Sequence, residues 1–192
     1  VISFDYGQRH KKELDVAQQL SRKLGLKHHI VKIPYGQMEI ESALTDTDRD
    51  IPRVAYSEIE GVSPAYVPFR NGTMLSLATA VAASRGLDYV MGGPHAEDAE
   101  NWAYPDCTLE FMGAMANAIY VGTYHKVRLI TPLLFMTKAE VVRKGWELGA
   151  PLFDTWSCYM GEEIHCGTCP TCRARRDAFK TAGLLDTTPY AA

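Results

Sequence analysis

Positive charge, long apolar runs and dispersed cysteines are all scarce in this 192-residue chain. It carries 20 lysine and arginine residues against 23 aspartate and glutamate residues, whereas nucleic-acid-binding domains usually show a basic excess. No apolar run approaches the length of a transmembrane helix, and no segment has the pattern of a signal peptide. We therefore expect a cytoplasmic protein that binds neither nucleic acid nor a membrane.

A local cluster of positive charge occurs near the end of the chain, at Arg173, Arg175 and Arg176. A charge run of this kind on a helix usually forms a solvated face. We therefore predict that these three arginines face solvent and do not form a track for phosphate groups.

Four of the five cysteines lie in the last fifth of the chain, at Cys158, Cys166, Cys169 and Cys172. Two overlapping Cys-x-x-Cys units with a fourth sulfur upstream are typical of a tetrahedral zinc site. Such a closed site would be structural, because no coordination position stays open. Gly167 can adopt the positive φ that these turns often need, and Pro170 suits the first turn of a helix. The fifth cysteine, Cys107, is predicted to be a free thiol.

Three other interpretations of the cysteines stay open. An iron–sulfur cluster is the main alternative, since Cys-x-x-Cys-x-x-Cys also occurs in ferredoxin-type sequences. A disulfide would suit a secreted protein, whereas cytosolic thiols stay reduced. The third is a set of cysteines without any metal. The sequence favours zinc over these.

Strand-like and helix-like segments alternate along the chain, which predicts an α/β fold with a doubly wound parallel sheet. Strands are expected near Val1–Phe4, His28–Ile33, Leu87–Met91 and Val127–Ile130, and helices over Lys11–Leu24, Asn71–Ser84, Thr108–Tyr120, Thr137–Leu148 and from the cysteines to about Ala182. The helix over Asn71–Ser84 is apolar nearly all round and is therefore predicted to be buried. The segment Pro34–Pro68 is predicted to be a long loop with a short helix near Met38–Leu44.

Ligands of parallel α/β sheets bind beyond the carboxyl ends of the strands. That rule selects three segments, Asp5–His10, Gly92–Asp98 and Thr131–Pro132. A tight turn with a surface salt bridge is the alternative interpretation of Asp5–His10.

Three further residues stand where helix dipoles act. Arg70 and Asn71 open a predicted helix, a position that favours anions, although simple capping by Asn71 would also explain the pattern. Lys138 is a cation at the start of another helix, where the dipole disfavours it. An anionic ligand nearby would account for that lysine.

The segment 92–107 mixes acidic and aromatic residues. Trp102 or Tyr104 could stack on a flat heterocycle, and a carboxylate could accept two N–H bonds from a guanine-like edge. His95 alone is more often a hydrogen-bonding loop residue than a catalyst. A surface loop could have the same composition, so this segment is a weak signal by itself.

Six short motifs follow one another in one order along the chain. They are Asp5-Tyr-Gly-Gln-Arg-His10, Val67-Pro-Phe-Arg-Asn71, Tyr104-Pro-Asp-Cys107, Thr131-Pro-Leu133, Lys138-Ala-Glu140 and the C-terminal cysteines. Together they resemble the 7-cyano-7-deazaguanine synthase family, QueC, and the resemblance covers essentially the whole chain. It implies a fold of the adenine-nucleotide α-hydrolase type (PP-loop ATPase), a structural Zn²⁺ and a homodimer. On this basis we expect residues 1–150 to form a nucleotide-binding α/β domain, with a zinc-binding segment at 151–192 packed on it.

The resemblance also implies an activity and a site. Family members are ATP-dependent carbon–nitrogen ligases that convert 7-carboxy-7-deazaguanine and ammonia to the 7-cyano compound, a queuosine precursor, with Mg²⁺ accompanying ATP. The residues expected near the nucleotide are Asp5, Tyr6, Gly7, Gln8 and Arg9. Those expected to bind substrate are Asn71, Trp102, Tyr104 and Asp106, and those expected to be catalytic are Arg70, Asp98 and Lys138. Asp98 or Asp106 would accept from the amino edge of the base. Arg70 and Lys138 would stabilise charge on phosphate or carboxylate oxygens.

One departure from the family concerns the phosphate-binding loop. The family's Ser-Gly-Gly-x-Asp-Ser motif does not occur in this sequence, and the resemblance begins at the family's second strand. We expect about thirty residues, a strand, the loop and a helix, to precede Val1. The alternative is a shortened, catalytically inactive zinc-containing binding or scaffold module. A tRNA-modifying enzyme of the same superfamily is less compatible with the acidic balance.

Overall fold

The computed structural model describes residues 1–192, which form two compact units. The first unit comprises Val1–Ile59, Pro64–Pro68 and Lys138–Ala192, and the second comprises Glu60–Ser63 and Phe69–Thr137. None of the helices is long and apolar enough to cross a membrane. The division of the chain at residue 150 stays a prediction.

The first unit contains two strands and three helices. Strand β1 (Ile2–Asp5) pairs in parallel with β2 (His29–Lys32), with Ile2 opposite His29, and helix α1 (Lys12–Lys23) connects the two strands. Helices α4 (Lys138–Glu147) and α5 (Pro170–Ala182) pack together. Their contact is apolar and contains Val142, Ala178 and Phe179, with Leu152 and Leu184 against them. This contact supports the helix that contains Cys172 and directly follows Cys169.

The second unit repeats the alternation of helix and strand. It contains α2 (Arg70–Ser84), β3 (Tyr89–Met91), α3 (Leu109–Gly122) and β4 (Arg128–Ile130). Strands β3 and β4 are parallel, with Tyr89 opposite Arg128. One apolar cluster holds the unit together, formed by Leu75, Ala82, Val90, Met112, Ile119 and Val127.

Most of the predicted elements are confirmed, with ends close to those expected. Thr108 caps α3 as predicted, because its hydroxyl accepts a hydrogen bond from the Phe111 N–H at 3.2 Å. The four strands pair in parallel as an α/β fold requires, and they hydrogen-bond as two two-stranded sheets. A single doubly wound sheet is a finer assignment than these pairings show.

Two predictions about secondary structure were wrong. Helix α2 is not buried all round: its buried residues are Gly72, Leu75, Thr79 and Ala82, which share one face, while Leu77 is exposed. Its many small residues gave an apolar composition without a second buried face. The short helix near Met38–Leu44 is instead a 3-10 turn at Tyr35–Met38, which ends at Glu39 in a left-handed conformation (φ 52°).

Candidate functional site

The four C-terminal cysteines converge at the start of α5. Pro170 is the first residue of that helix, so Cys169 immediately precedes it and Cys172 lies in its first turn. The ligand atoms of Cys158, Cys166, Cys169 and Cys172 all lie within 4.8 Å of one another, and the four residues are buried. The sulfurs of Cys166 and Cys172 are 3.9 Å apart. A tetrahedron with Zn–S bonds of about 2.3 Å has an edge of about 3.8 Å, so this set fits a single metal ion.

Backbone N–H groups surround the sulfurs. Cys158 Sγ accepts from the N–H groups of Met160 and Cys166, both at 3.4 Å. Cys166 Sγ accepts from the Cys169 N–H at 3.3 Å. Hydrogen bonds of this kind favour thiolates over thiols. Gly167, between these donors, has φ 80°, and a Cβ there would collide with the carbonyl oxygen of Ala192. Glycine is therefore required at position 167 for two reasons, the positive φ and the close approach of Ala192.

The charge balance of the cluster calls for a cation. Hydrogen bonds from Cys158 and Cys172 lower the pKa of Cys169. The hydrogen bond between Cys158 and Cys169 in turn raises the pKa of Cys158 to about 11. A thiol that donates to Cys169 keeps its proton, so the pKa of Cys169 falls while that of Cys158 rises. A bound divalent metal would allow all four sulfurs to ionise together.

The predicted solvent-facing arginine cluster was wrong for Arg175. This residue is only 6% exposed, because it lies on the inner face of α5 with Cys172 and Phe179. Its guanidinium donates to Thr188 Oγ1 at 3.0 Å, to Thr155 Oγ1 at 2.8 Å and to the Leu152 carbonyl at 2.8 Å. Arg173 and Arg176 are exposed as predicted. Arg175 therefore joins the helix to two other segments beside the cysteines.

The segment Asp5–His10 folds as a tight turn after β1. Gln8 is fully buried (0% exposed); its amide oxygen accepts from the Tyr6 N–H at 2.8 Å, and its NH₂ group donates to the Phe4 carbonyl at 3.0 Å. The Arg9 guanidinium donates to the Asp46 and Arg49 carbonyls at 2.5 and 3.0 Å. Asp5 accepts from the Gly7 N–H at 3.2 Å and pairs with Lys11 at 3.5 Å. These bonds fix the shape of the turn, and the nucleotide-binding role of Asp5, Tyr6, Gly7, Gln8 and Arg9 stays a prediction.

Lys138 occupies the first turn of α4, as the sequence predicted. Its Nζ atom lies 5.9 Å from the centre of the Tyr56 ring, within the range of a cation–π contact. Tyr56 was not identified from the sequence, because it belongs to the long segment between β2 and α2. Its ring gives the lysine a neighbour that offsets part of the unfavourable dipole.

In the second unit, the start of α2 contacts the Tyr104–Cys107 motif. The Asn71 N–H donates to Asp106 Oδ2 at 2.8 Å, and the Asn71 side-chain NH₂ donates to the Asp106 carbonyl at 3.3 Å and to Cys107 Sγ at 3.1 Å. Phe69, not Asn71, is the N-cap residue of α2, so capping of its own helix by Asn71 is the wrong interpretation. Cys107 is a free thiol as predicted, and burial raises its pKa.

Three charged side chains share this region. Burial raises the pKa of Asp106, which is 3% exposed; the Asn71 N–H and the Arg70 guanidinium act in the opposite direction, and the charge of Asp98 adds to the increase. Asp98 accepts from the His95 N–H at 3.2 Å and pairs with His95 Nε2 at 3.3 Å. The structure thus brings Arg70, Asp98 and Asp106 into one electrostatic cluster. His95 was correctly regarded as a hydrogen-bonding loop residue.

The two aromatic residues proposed for stacking have different environments. Tyr104 is buried, and its hydroxyl accepts a hydrogen bond from Ser63 Oγ at 3.3 Å. Trp102 is 59% exposed and has a left-handed backbone conformation (φ 59°). Strained backbone of this kind is often found at functional sites. Trp102 is therefore the aromatic surface of the pair that is available to a ligand.

Comparison with known proteins gives a consistent result. The family described as "Queuosine biosynthesis protein QueC" matches residues 1–183. The chain is 43% identical over 196 residues to 7-cyano-7-deazaguanine synthase of Ruegeria pomeroyi. That alignment covers 100% of this chain and 83% of the relative. The chain is 43% identical over 193 residues to the protein of that name from Allorhizobium ampelinum, and 44% identical over 194 residues to that from Sinorhizobium fredii. Each of these two alignments covers 99% of this chain and 80% of the relative.

Proposed function

The chain belongs to the QueC family of queuosine biosynthesis proteins, and we propose that it is an ATP-dependent ligase that forms 7-cyano-7-deazaguanine. The substrates would be 7-carboxy-7-deazaguanine, ammonia and ATP with Mg²⁺. The observation that carries this proposal is the 43% identity along the whole chain to a synthase of that name. An inactive scaffold module is less well supported, because the charged cluster of Arg70, Asp98 and Asp106 is intact.

The chemistry requires two activations of the same carbon. A carboxylate is a poor electrophile, so ATP must first convert one of its oxygens into a leaving group. Ammonia then displaces that group and gives an amide. A second ATP would activate the amide oxygen in the same way. That oxygen then departs with the group transferred from ATP, the nitrogen loses its two protons to a base, and the nitrile remains. Both activations build negative charge on oxygen, which preorganised cations stabilise.

The residues of this chain divide that work. Arg70 and Lys138 would stabilise the charge that develops on phosphate or carboxylate oxygens. Asp98 would accept from the amino edge of the base, and Trp102 would stack on its ring. Asp5 to Arg9 would contribute to the nucleotide site, where the buried Gln8 holds the turn in shape. Support for these roles comes from the cluster in the second unit and from the family.

The metal is proposed to be a structural Zn²⁺ on Cys158, Cys166, Cys169 and Cys172. Sulfurs that all lie within 4.8 Å suit one tetrahedral ion. A multi-iron cluster distributes its cysteines over several irons and spaces them more widely. The metal would hold the segment before α5 in place and take no part in catalysis, because four protein ligands leave no position for a substrate.

Three finer assignments belong to the same proposal. The fold would be a doubly wound parallel sheet of the adenine-nucleotide α-hydrolase type, with a zinc-binding segment at 151–192. The protein would act as a homodimer, and it would be cytoplasmic, where four thiols stay reduced. Parallel pairing in both strand pairs supports the first of these, and the family resemblance supports the second.

A direct assay tests the function. The protein as its gene encodes it is incubated with 7-carboxy-7-deazaguanine, ammonium and ATP with Mg²⁺, and products are identified by mass spectrometry. We expect the nitrile to form only when all components are present, with the amide as an intermediate. A protein that binds the deazapurine but gives neither amide nor nitrile would be the scaffold module instead.

A further inference from the structure

A carboxylate from outside the helix contacts the start of α2. The first N–H groups of a helix have no partner inside it, and here the Asn71 N–H donates to Asp106 Oδ2 at 2.8 Å. A second bond joins the Asn71 side chain to the Asp106 carbonyl at 3.3 Å. Asp106 therefore binds the residue that directly follows Arg70 through both its side chain and its backbone.

The backbone conformation just before α2 requires contacts that hold the first helical turn in place, and the hydrogen bond to Asp106 is one of them. Phe69 precedes α2 in a left-handed conformation (φ 54°, ψ 25°), and its side chain makes no capping hydrogen bond. A non-glycine residue keeps such a conformation only where the surroundings enforce it. Two contacts do so here: the Phe69 ring packs edge-on against Phe111 with centroids 5.5 Å apart, and Asp106 fixes the first helical turn. Arg70 lies between these two constraints.

The two carboxylates of the cluster differ in access. Asp106 is 3% exposed and accepts from the Asn71 N–H with one carboxylate oxygen, whereas both oxygens of Asp98 contact His95 in its own loop. The side chain of Asp98 is 21% exposed, in the short helical turn that begins after His95. A ligand that approaches from solvent can reach Asp98 more readily than Asp106.

We propose that Asp106 is a positioning residue: it anchors the first turn of α2 and thereby orients the Arg70 guanidinium, while Asp98 accepts the amino edge of the deazapurine. This inference rests on the proposed function. It separates two carboxylates that sequence alone treats as equivalent. A residue that acts through Arg70 should affect the rate of reaction more than the binding of the base.

The test compares Asp106→Asn, Asp106→Ala and Asp98→Asn by steady-state kinetics. Asp106→Asn keeps an oxygen that can accept the Asn71 N–H, so kcat should stay within about fivefold of wild type. Asp106→Ala removes the anchor, and kcat should fall about 100-fold while KM for 7-carboxy-7-deazaguanine changes by less than about threefold. Asp98→Asn should raise that KM at least about tenfold.

A double-mutant cycle with Arg70→Ala shows whether Asp106 acts through the arginine. If it does, adding Asp106→Ala to Arg70→Ala should lower kcat by less than about twofold further. Multiplicative losses would overturn the proposal, and so would a raised KM in both Asp106 variants. If Asp106→Ala does not fold, the contrast between Asp106→Asn and Asp98→Asn still decides the question.

Hydrogen exchange separates this inference from the proposed function. Wild-type turnover is measured first, and its absence would contradict the proposed function alone. Exchange of the Asn71 amide in Asp106→Ala should then be at least about tenfold faster than in wild type, and near wild type in Asp106→Asn. Unchanged exchange in Asp106→Ala would refute the anchor itself.

Discussion

The ring of Phe69 lies so close to Gly72 that a Cβ at position 72 would overlap it. Helical glycine normally costs about 1 kcal/mol relative to alanine, so Gly→Ala in an exposed helix stabilises a protein. Here Gly72→Ala should instead lower the free energy of unfolding by about 1–2 kcal/mol, because the ring must leave Phe111. Urea denaturation of Gly72→Ala measures this.

Gly113 provides the matched control. It is an exposed glycine of α3, and a Cβ there meets nothing within 4 Å. Gly113→Ala should raise the free energy of unfolding by up to about 1 kcal/mol. If both variants are stabilised equally, Phe69 is not held over the helix.

The metal site predicts selective losses. Replacement of Cys172 by serine should abolish binding of the one metal ion per chain that we propose, and should lower the melting temperature. Cys107→Ala, a buried cysteine outside the cluster, should keep the full metal content. Elemental analysis of the purified variants gives both answers. A brown protein with iron and no zinc would exclude the zinc assignment.

Arg175 and Arg173 on the same helix should respond very differently to lysine. Arg175→Lys removes a fork that makes three hydrogen bonds to buried or half-buried groups, so we expect a loss of about 2–4 kcal/mol in unfolding free energy. Arg173→Lys, on the exposed face, should change it by less than about 0.5 kcal/mol. Equal effects in chemical denaturation would show that Arg175 is not the link between these segments.

Asp106 and Asp186 should have pKa values on opposite sides of the pKa of an ordinary aspartate. Burial raises the pKa of Asp106. Burial acts the same way on Asp186, but the hydrogen bonds from Thr188 and Tyr190 outweigh it and lower the pKa. Carboxyl carbon shifts in a pH titration measure both values. A lower pKa for Asp106 than for Asp186 would contradict the structure.

These shifts have opposite consequences for stability. The raised pKa of Asp106 favours the folded state at low pH, and this contribution is lost as pH rises through the folded pKa. The free energy of unfolding of Asp106→Asn should therefore increase relative to that of wild type as pH rises. The lowered pKa of Asp186 contributes stability above the unfolded value, and this is lost as pH falls through the folded pKa. Asp186→Asn should therefore be destabilised at pH 7 and approach wild type in acid. Cysteine protonation affects variant and wild type alike, so their difference reports the aspartate.

Arg70 should be essential for turnover but not for folding. Arg70→Ala removes a cation at the proposed reacting centre and should lower kcat/KM by about 100- to 1000-fold. Arg85→Ala, just after the other end of α2, should keep activity within about twofold. Circular dichroism melts of both variants check folding. Near-normal turnover of Arg70→Ala would remove Arg70 from the site.

Sequence reasoning worked best where the pattern is local. The spacing of the cysteines and the turn at Gly167 specify a metal loop without knowledge of the rest of the chain. The ends of strands and helices followed from apolar periodicity and from caps such as Thr108. These features depend on residues within a few positions of one another, which a sequence displays directly.

It failed where a side chain's partner is distant in sequence. The sequence predicts Arg175 to be one of three surface arginines, whereas its guanidinium donates hydrogen bonds to Leu152 and Thr188. The sequence also gave no sign that Asp106 accepts from the Asn71 N–H, 35 positions earlier, while its role toward a ligand stays a prediction. The side of a helix that faces the core and the carboxylate that stays accessible both depend on tertiary packing.

The discontinuity of the first unit has a consequence for biosynthesis. Lys23 pairs with Asp154, and Lys12 pairs with Glu163, so α1 is fastened to segments made more than a hundred residues later. The stretch Phe69–Thr137 can begin to fold on the ribosome before the segments that pair with α1 have been synthesised. The four cysteines also follow Phe69–Thr137 in the chain, so the proposed metal could bind only after that stretch has been synthesised.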